Sequence, residues 1–130
     1  MKTNTPRGTS KKILIVEDDE DFLSILKIKF ISEGFSIATA KDGEEGIIMA
    51  EKEKPDLIMS DILMPIMDGI EMARKIKESD KDAQILFLTN IQDADYAKRL
   101  ENSKEFDYLI KADLRIDEIV EKVKKKLGVK

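Results

Sequence analysis

From Lys12 onward the chain repeats one rhythm: a short apolar run, then a longer amphipathic one, five times over. The short runs cover 12–16, 35–39, 56–60, 84–88 and 106–110, and they are rich in Ile and Leu. Their apolarity is mostly continuous rather than alternating. Such runs predict strands of a parallel sheet covered on both faces.

The longer runs carry helical periods and recognisable ends. Phe22, Leu26 and Phe30 share one face of a first helix, and Gly34 is placed to end it. Asp42 is placed to cap a second, with Pro55 just past its end. Asp68 is placed to cap a third, with Ala73 and Ile76 turned inward. A fourth, over 93–102, has only Ala94, Ala97 and Leu100 as apolar positions. The fifth has the clearest stripe, Ile116, Ile119, Val120, Val123 and Leu127, and its last turn holds Lys124, Lys125 and Lys126. Alternating βα units with right-handed crossovers predict a doubly wound α/β domain over 12–128. Residues 1–11, rich in Thr, Pro and Gly, read as a disordered leader without the apolar stretch of a secretion signal.

Composition narrows the chemistry. The sequence has no cysteine and no histidine. That removes disulfides, thiolate and imidazole catalysis, histidine metal sites and any phosphohistidine on this chain. The net charge of -4 argues against direct nucleic-acid binding. The longest apolar runs are about four residues against the ~20 of a membrane helix, so no membrane contact and a cytoplasmic location are expected. Chemistry must rest on carboxylates, hydroxyls, lysines and backbone.

In open α/β sheets, ligands bind beyond the carboxyl ends of the strands. The first strand runs into Glu17, Asp18 and Asp19, the third into Asp61, the fourth into Thr89 and the fifth into Lys111. With strands 1 and 3 adjacent, in the order 2-1-3-4-5, Glu17, Asp18 and Asp61 converge. Two carboxylates ~5 Å apart repel by ~3 kcal/mol at an effective dielectric of ~20. A hard dication relieves that repulsion, and oxygen-only ligation suits Mg²⁺, with Mn²⁺ as the alternative. Asp19 is better read as a cap of the first helix.

The chain carries Ile-Leu-Ile-Val-Glu-Asp-Asp-Glu at 13–20, Pro-Asp-Leu-Ile-Met-Ser-Asp-Ile-Leu-Met-Pro-Ile-Met-Asp-Gly at 55–69, Thr89, and Asp-Tyr-Leu-Ile-Lys at 107–111. Together these motifs resemble one family, the receiver domains of two-component response regulators, including the chemotaxis-type single-domain regulators. The resemblance implies a flavodoxin-like (βα)5 fold with a five-stranded parallel sheet. It implies Asp61 as phosphoacceptor and Lys111 as the partner of the phosphoryl group. It implies Mg²⁺ on Glu17, Asp18, Asp61 and the Leu63 backbone carbonyl. Thr89 resembles the switch hydroxyl and Tyr108 the switch aromatic. Met64, Pro65, Asp68 and Gly69 look like loop architecture. The donor implied is a sensor histidine kinase or histidine phosphotransfer protein, and output passes through a partner protein. The protein is then a monomer or a weak dimer through the fourth helix, fifth strand and fifth helix. It is a regulator rather than an enzyme, with only self-catalysed phosphotransfer and slow hydrolysis.

The sequence departs from that pattern in places. Ala112 follows Lys111 where a proline with a cis bond is common, so the bond is cis under strain or trans. Asn90 follows Thr89 where a small residue is usual, and residues 101–105 replace a small Gly-Ala approach to the fifth strand. Leu63 and Ile91 are placed to shield an acyl phosphate. The alternative reading is a degenerate receiver that serves as a phosphorylation-independent binding module. A flavin site is disfavoured because Glu17, Asp18 and Asp19 would repel the phosphate.

Overall fold

Side chains alternate across a strand, so a continuous apolar strand must bury both of its faces. In the computed structural model, which describes residues 10–90 and 106–130, they do so in two separate cores. Leu14, Val16, Ile58, Ile85 and Phe87 point to one face, and Ile13, Ile15, Leu57, Met59, Leu86 and Leu88 to the other. The strands are β1 (Lys12–Val16), β2 (Ser36–Ala40), β3 (Leu57–Ser60), β4 (Ile85–Thr89) and β5 (Asp107–Ile110). They form one parallel sheet in the order β2-β1-β3-β4-β5. β1 is as predicted, β2 and β4 lie one residue later than predicted, and β3 and β5 begin one residue later.

The helices are α1 (Glu20–Ser32), α2 (Gly43–Glu53), α3 (Gly69–Ser79) and α4 (Ile116–Leu127). Ile70, Met72, Ala73 and Ile76 of α3 cover the first face, and Leu26 and Phe30 of α1 cover the second with Ile119, Val120 and Val123 of α4. Asp19, Asp42 and Asp68 cap α1, α2 and α3, each carboxylate accepting backbone N–H groups of the first turn. Gly128 ends α4 with φ 68°, following the run of three lysines. Lys29–Asp117 at 2.9 Å and Lys124–Glu33 at 2.7 Å tie α1 to α4. The fourth helical run, over 93–102, and Ile91 lie outside the described residues, as does most of the 1–11 leader. No described helix is long and apolar enough to cross a membrane.

The β3–α3 loop contains a strained residue. Ile66 has φ 74° and the Met67 N–H donates to the Pro65 carbonyl at 2.8 Å, a three-residue γ-turn of the rare hand. A β-branched side chain is poorly suited to positive φ, and Ile66 is 74% exposed, so burial returns little. Such strain costs ~1–3 kcal/mol, less the ~0.5–1 kcal/mol of freedom glycine loses on folding. Ile66→Gly is therefore expected to stabilise the protein by about 1 kcal/mol. A urea titration checks it, and an unchanged or lower midpoint contradicts the strain.

Candidate functional site

The register of the sheet places the acids. Val16 pairs with Ser60 across β1 and β3, so the residues that follow, Glu17 and Asp61, leave the sheet side by side. Glu17 N–H donates to the Ala40 carbonyl at 3.0 Å, and Asp61 N–H to the Val16 carbonyl at 3.1 Å. Gly69 lies against Asp61 so closely that a Cβ there would sit 2.2 Å from the Asp61 carbonyl oxygen. Its N–H donates to the Ile62 carbonyl at 2.8 Å. Only glycine lets the start of α3 approach this strand end.

Glu17, Asp18 and Asp61 each offer a carboxylate oxygen within 4.8 Å of the others. Their surroundings differ. Glu17 is buried, at 3% exposure, whereas Asp18 is exposed and Asp61 is half-buried. Lys111 answers two of the three. Its Nζ lies 2.9 Å from Glu17 Oε1 and 3.1 Å from Asp61 Oδ2. Asp61 Oδ1 accepts the Ile62 N–H at 2.7 Å, and Glu17 Oε2 accepts the Asp19 N–H at 3.1 Å. Asp18 has no cation partner among the described residues.

Burial pushes the Glu17 carboxyl above its usual range, and repulsion from Asp61 adds to it. The Lys111 and Asp19 hydrogen bonds only partly offset that rise. Burial alone would lower Lys111, but hydrogen bonds and charge from Glu17 and Asp61 outweigh it and hold the ammonium above its usual range. Lys111 is therefore a fixed positive charge at neutral pH.

The Lys111–Ala112 bond is trans, since the described residues include no cis peptide. Lys111 opens a single 3-10 turn, Lys111–Asp113, which the sequence pattern did not foretell. The ammonium still reaches both carboxylates. Its Nζ also lies 4.6 Å from the centroid of the Phe22 ring. Sequence reasoning had Phe22 only as a core-facing position of the first helix; the available signal was an aromatic ring one turn beyond the acids.

Thr89 ends β4 beside Ile110 of β5. It is 1% exposed, and its Oγ1 has no hydrogen-bond partner among the described residues. A buried hydroxyl without a partner costs ~1–3 kcal/mol. Tyr108 is half-buried against the core that holds Phe87 and Phe106. Leu63 and Asn90, just after Asp61 and Thr89 in the chain, are exposed.

These features have relatives. The response regulator receiver domain family matches residues 13–124. The chain belongs to that family, the receiver domains of two-component systems. It is 36% identical over 113 residues to the alkaline phosphatase synthesis transcriptional regulatory protein PhoP of Bacillus subtilis, covering 87% of this chain and 42% of that protein. It is 33% identical over 123 residues to sporulation initiation phosphotransferase F of Bacillus subtilis, covering 93% and 97% respectively. Among solved structures it is similar to response regulator TrrA of Thermotoga maritima in complex with Mg²⁺–BeF. That match has a TM-score of 0.78 and 37% identity, and covers 90% of this chain and 98% of that one. The chain spans less than half the length of the transcriptional regulators it matches.

Among the described residues the donor set fits a hard dication: three carboxylates, no nitrogen or sulfur ligand, and one acid with no cation to answer it. Two predictions follow from the crowding. Asp18→Asn removes a charge that faces two others, and is expected to stabilise the metal-free protein by about 1 kcal/mol after screening. Thermal melting in a chelator checks this, and a lower midpoint contradicts it. The second concerns pH. A carboxyl whose pKa is higher in the folded than in the unfolded state binds more protons when folded. Stability then falls as pH rises from the ordinary carboxylate value through the elevated one. Glu17→Gln is expected to flatten that part of the chelated protein's stability–pH curve, and an unaltered slope would assign it to another group.

Proposed function

We propose that the protein is a phosphoacceptor switch in which Asp61 takes a phosphoryl group from a phosphohistidine on a sensor kinase or phosphotransfer protein. The observation that carries this reading is the Lys111 ammonium 3.1 Å from Asp61 Oδ2, beside three converging carboxylates. Family membership supports it, as does the likeness to a receiver solved with Mg²⁺–BeF.

An Asp61 carboxylate oxygen attacks phosphorus, the P–N bond breaks, and the imidazole leaves with the bond's electron pair. Asp61 Oδ1 is held by the Ile62 amide, so the carboxylate is oriented before the donor arrives. Lys111, hydrogen-bonded to Asp61 Oδ2, is the cation that stabilises charge on the phosphoryl oxygens in this reading. Glu17, Asp18, Asp61 and the Leu63 carbonyl would hold Mg²⁺, which when bound supplies further positive charge to those oxygens. Three acids, the dication and Lys111 then sum to zero charge.

The phosphorylated site offers Thr89 Oγ1 an acceptor that it lacks among the described residues. A hydrogen bond to a charged group contributes ~1.5–3 kcal/mol, enough to shift a two-state equilibrium by roughly ten- to a hundredfold. Inward movement of Thr89 vacates space that Tyr108 can fill from the half-buried position it holds. The altered surface is read by a partner protein, and hydrolysis by water resets it. The chain is in this reading a regulator, and its only chemistry is on itself.

Intact-mass measurement after incubation with Mg²⁺ and acetyl phosphate tests this. One added phosphoryl group is expected on the wild type and none on Asp61→Asn. Thr89→Ala should still accept the group but lose the accompanying change at Tyr108, read by aromatic NMR. No adduct on a folded, Mg²⁺-binding protein, with Asn90→Ala no better, would favour a phosphorylation-independent binding module.

A further inference from the structure

The backbone around Lys111 supplies little to hold its side chain. The lysine opens one 3-10 turn, closed by the Leu114 N–H to the Lys111 carbonyl at 3.3 Å, and the following Ala112 is exposed. A four-carbon stem loses rotamer freedom whenever its ammonium is fixed. Two partners of that ammonium, Glu17 and Asp61, belong to the same carboxylate cluster that suits a dication. Any dication there competes with Lys111 for their oxygens.

The third partner is the face of Phe22, and a strongly hydrated dication does not compete for it. The ring is itself held in register with the acids. Glu17 Oε2 accepts the Asp19 N–H at 3.1 Å, and Asp19 Oδ1 accepts the Phe22 N–H at 3.2 Å. Lys111 then reaches Glu17 Oε1 at 2.9 Å. The contacts close a circuit, Glu17 to Asp19 to Phe22 to Lys111 and back, across residues far apart in the chain. Phe22 also packs against the core formed by Leu26 and Phe30, so the ring has a fixed seat.

We infer that Phe22 is a positioning residue for Lys111: its ring face keeps the ammonium within reach of the phosphoryl group on Asp61 when the carboxylates are engaged. The role of Lys111 rests on the phosphoacceptor reading above, whereas its placement by Phe22 rests on this geometry. A leucine would fill the space without attracting the charge. The aromatic quadrupole, rather than volume, is what the site uses.

Two measurements on the full chain test this. The first is the NMR shift of the Lys111 ε-methylene protons, which a ring face moves upfield. The shift is expected in the wild type and in Phe22→Tyr, and is expected to be lost in Phe22→Leu, with or without Mg²⁺. The second is the rate of phosphorylation by acetyl phosphate at saturating Mg²⁺, expected to fall about two- to thirtyfold in Phe22→Leu and to recover in Phe22→Tyr. Progressively fluorinated phenylalanines at position 22 keep the ring's shape while draining its quadrupole. They are expected to slow the reaction in proportion, and they remain informative if Phe22→Leu does not fold. An ε-methylene shift unchanged by Phe22→Leu, or a rate flat across the fluorinated series, overturns the inference. A wild type that takes up no phosphoryl group defeats the phosphoacceptor reading instead, and the NMR shift still decides the placement.

Discussion

Lys111 reaches Glu17 and Asp61 from β5, a strand that touches neither β1 nor β3. That reach holds the strand ends together. Glu17 is buried and Asp61 is half-buried, and each would be an uncompensated charge without the ammonium. The surrounding architecture serves the meeting. Parallel register brings the two acids abreast. Gly69 lets α3 close behind Asp61. The Asp19 cap starts α1 directly after the acids and carries Phe22 under the lysine.

The local rules of the chain made much of this legible. Continuous Ile and Leu runs gave strands with two buried faces, and the alternating residues divide between two cores as that pattern requires. Asp42 and Asp68 announced their helices because a cap is a local device: a carboxylate and an amide three residues on. The strand-end rule then located Glu17, Asp61, Thr89 and Lys111 without reference to any contact. What stayed hidden depends on residues meeting from far apart. Phe22 lies 89 residues before Lys111, and nothing in either neighbourhood states that they touch. The positive φ of Ile66 was hidden for another reason. The loop is closed by β3 and α3, and their positions override the preference of the residue between them.

Glu17 and Asp18 look alike as a sequence pair, and the structure separates them. A strand sends successive side chains to opposite sides, and the chain is leaving β1 at this point. Glu17 turns into the protein, where burial raises its pKa and Lys111 answers its charge. Asp18 remains exposed with no described cation. One acid thus anchors the site's fixed positive charge, and the other leaves the cluster short of one. A metal-free cluster that is balanced internally would have little affinity for a dication. One that is balanced on Glu17 and open at Asp18 keeps the fold and leaves a carboxylate suited to a dication.

Thr89 carries a cost of another kind: its hydroxyl is buried without a partner among the described residues, an arrangement that most of a protein interior avoids. The core around it is close-packed, with Leu88 and Phe87 almost wholly buried, so the hydroxyl cannot simply turn to water. Two local costs therefore lie at adjacent strand ends, crowded carboxylates on β1 and β3 and an unsatisfied donor on β4. In the proposed function, a phosphoryl group on Asp61 would change both at once, because it would bring new acceptor oxygens and draw cations to the acids. Neither cost alone would make the proposed switch: satisfying one hydroxyl would bias the fold with the phosphoryl group only if both act at neighbouring strand ends, and β3 and β4 are neighbours in the sheet.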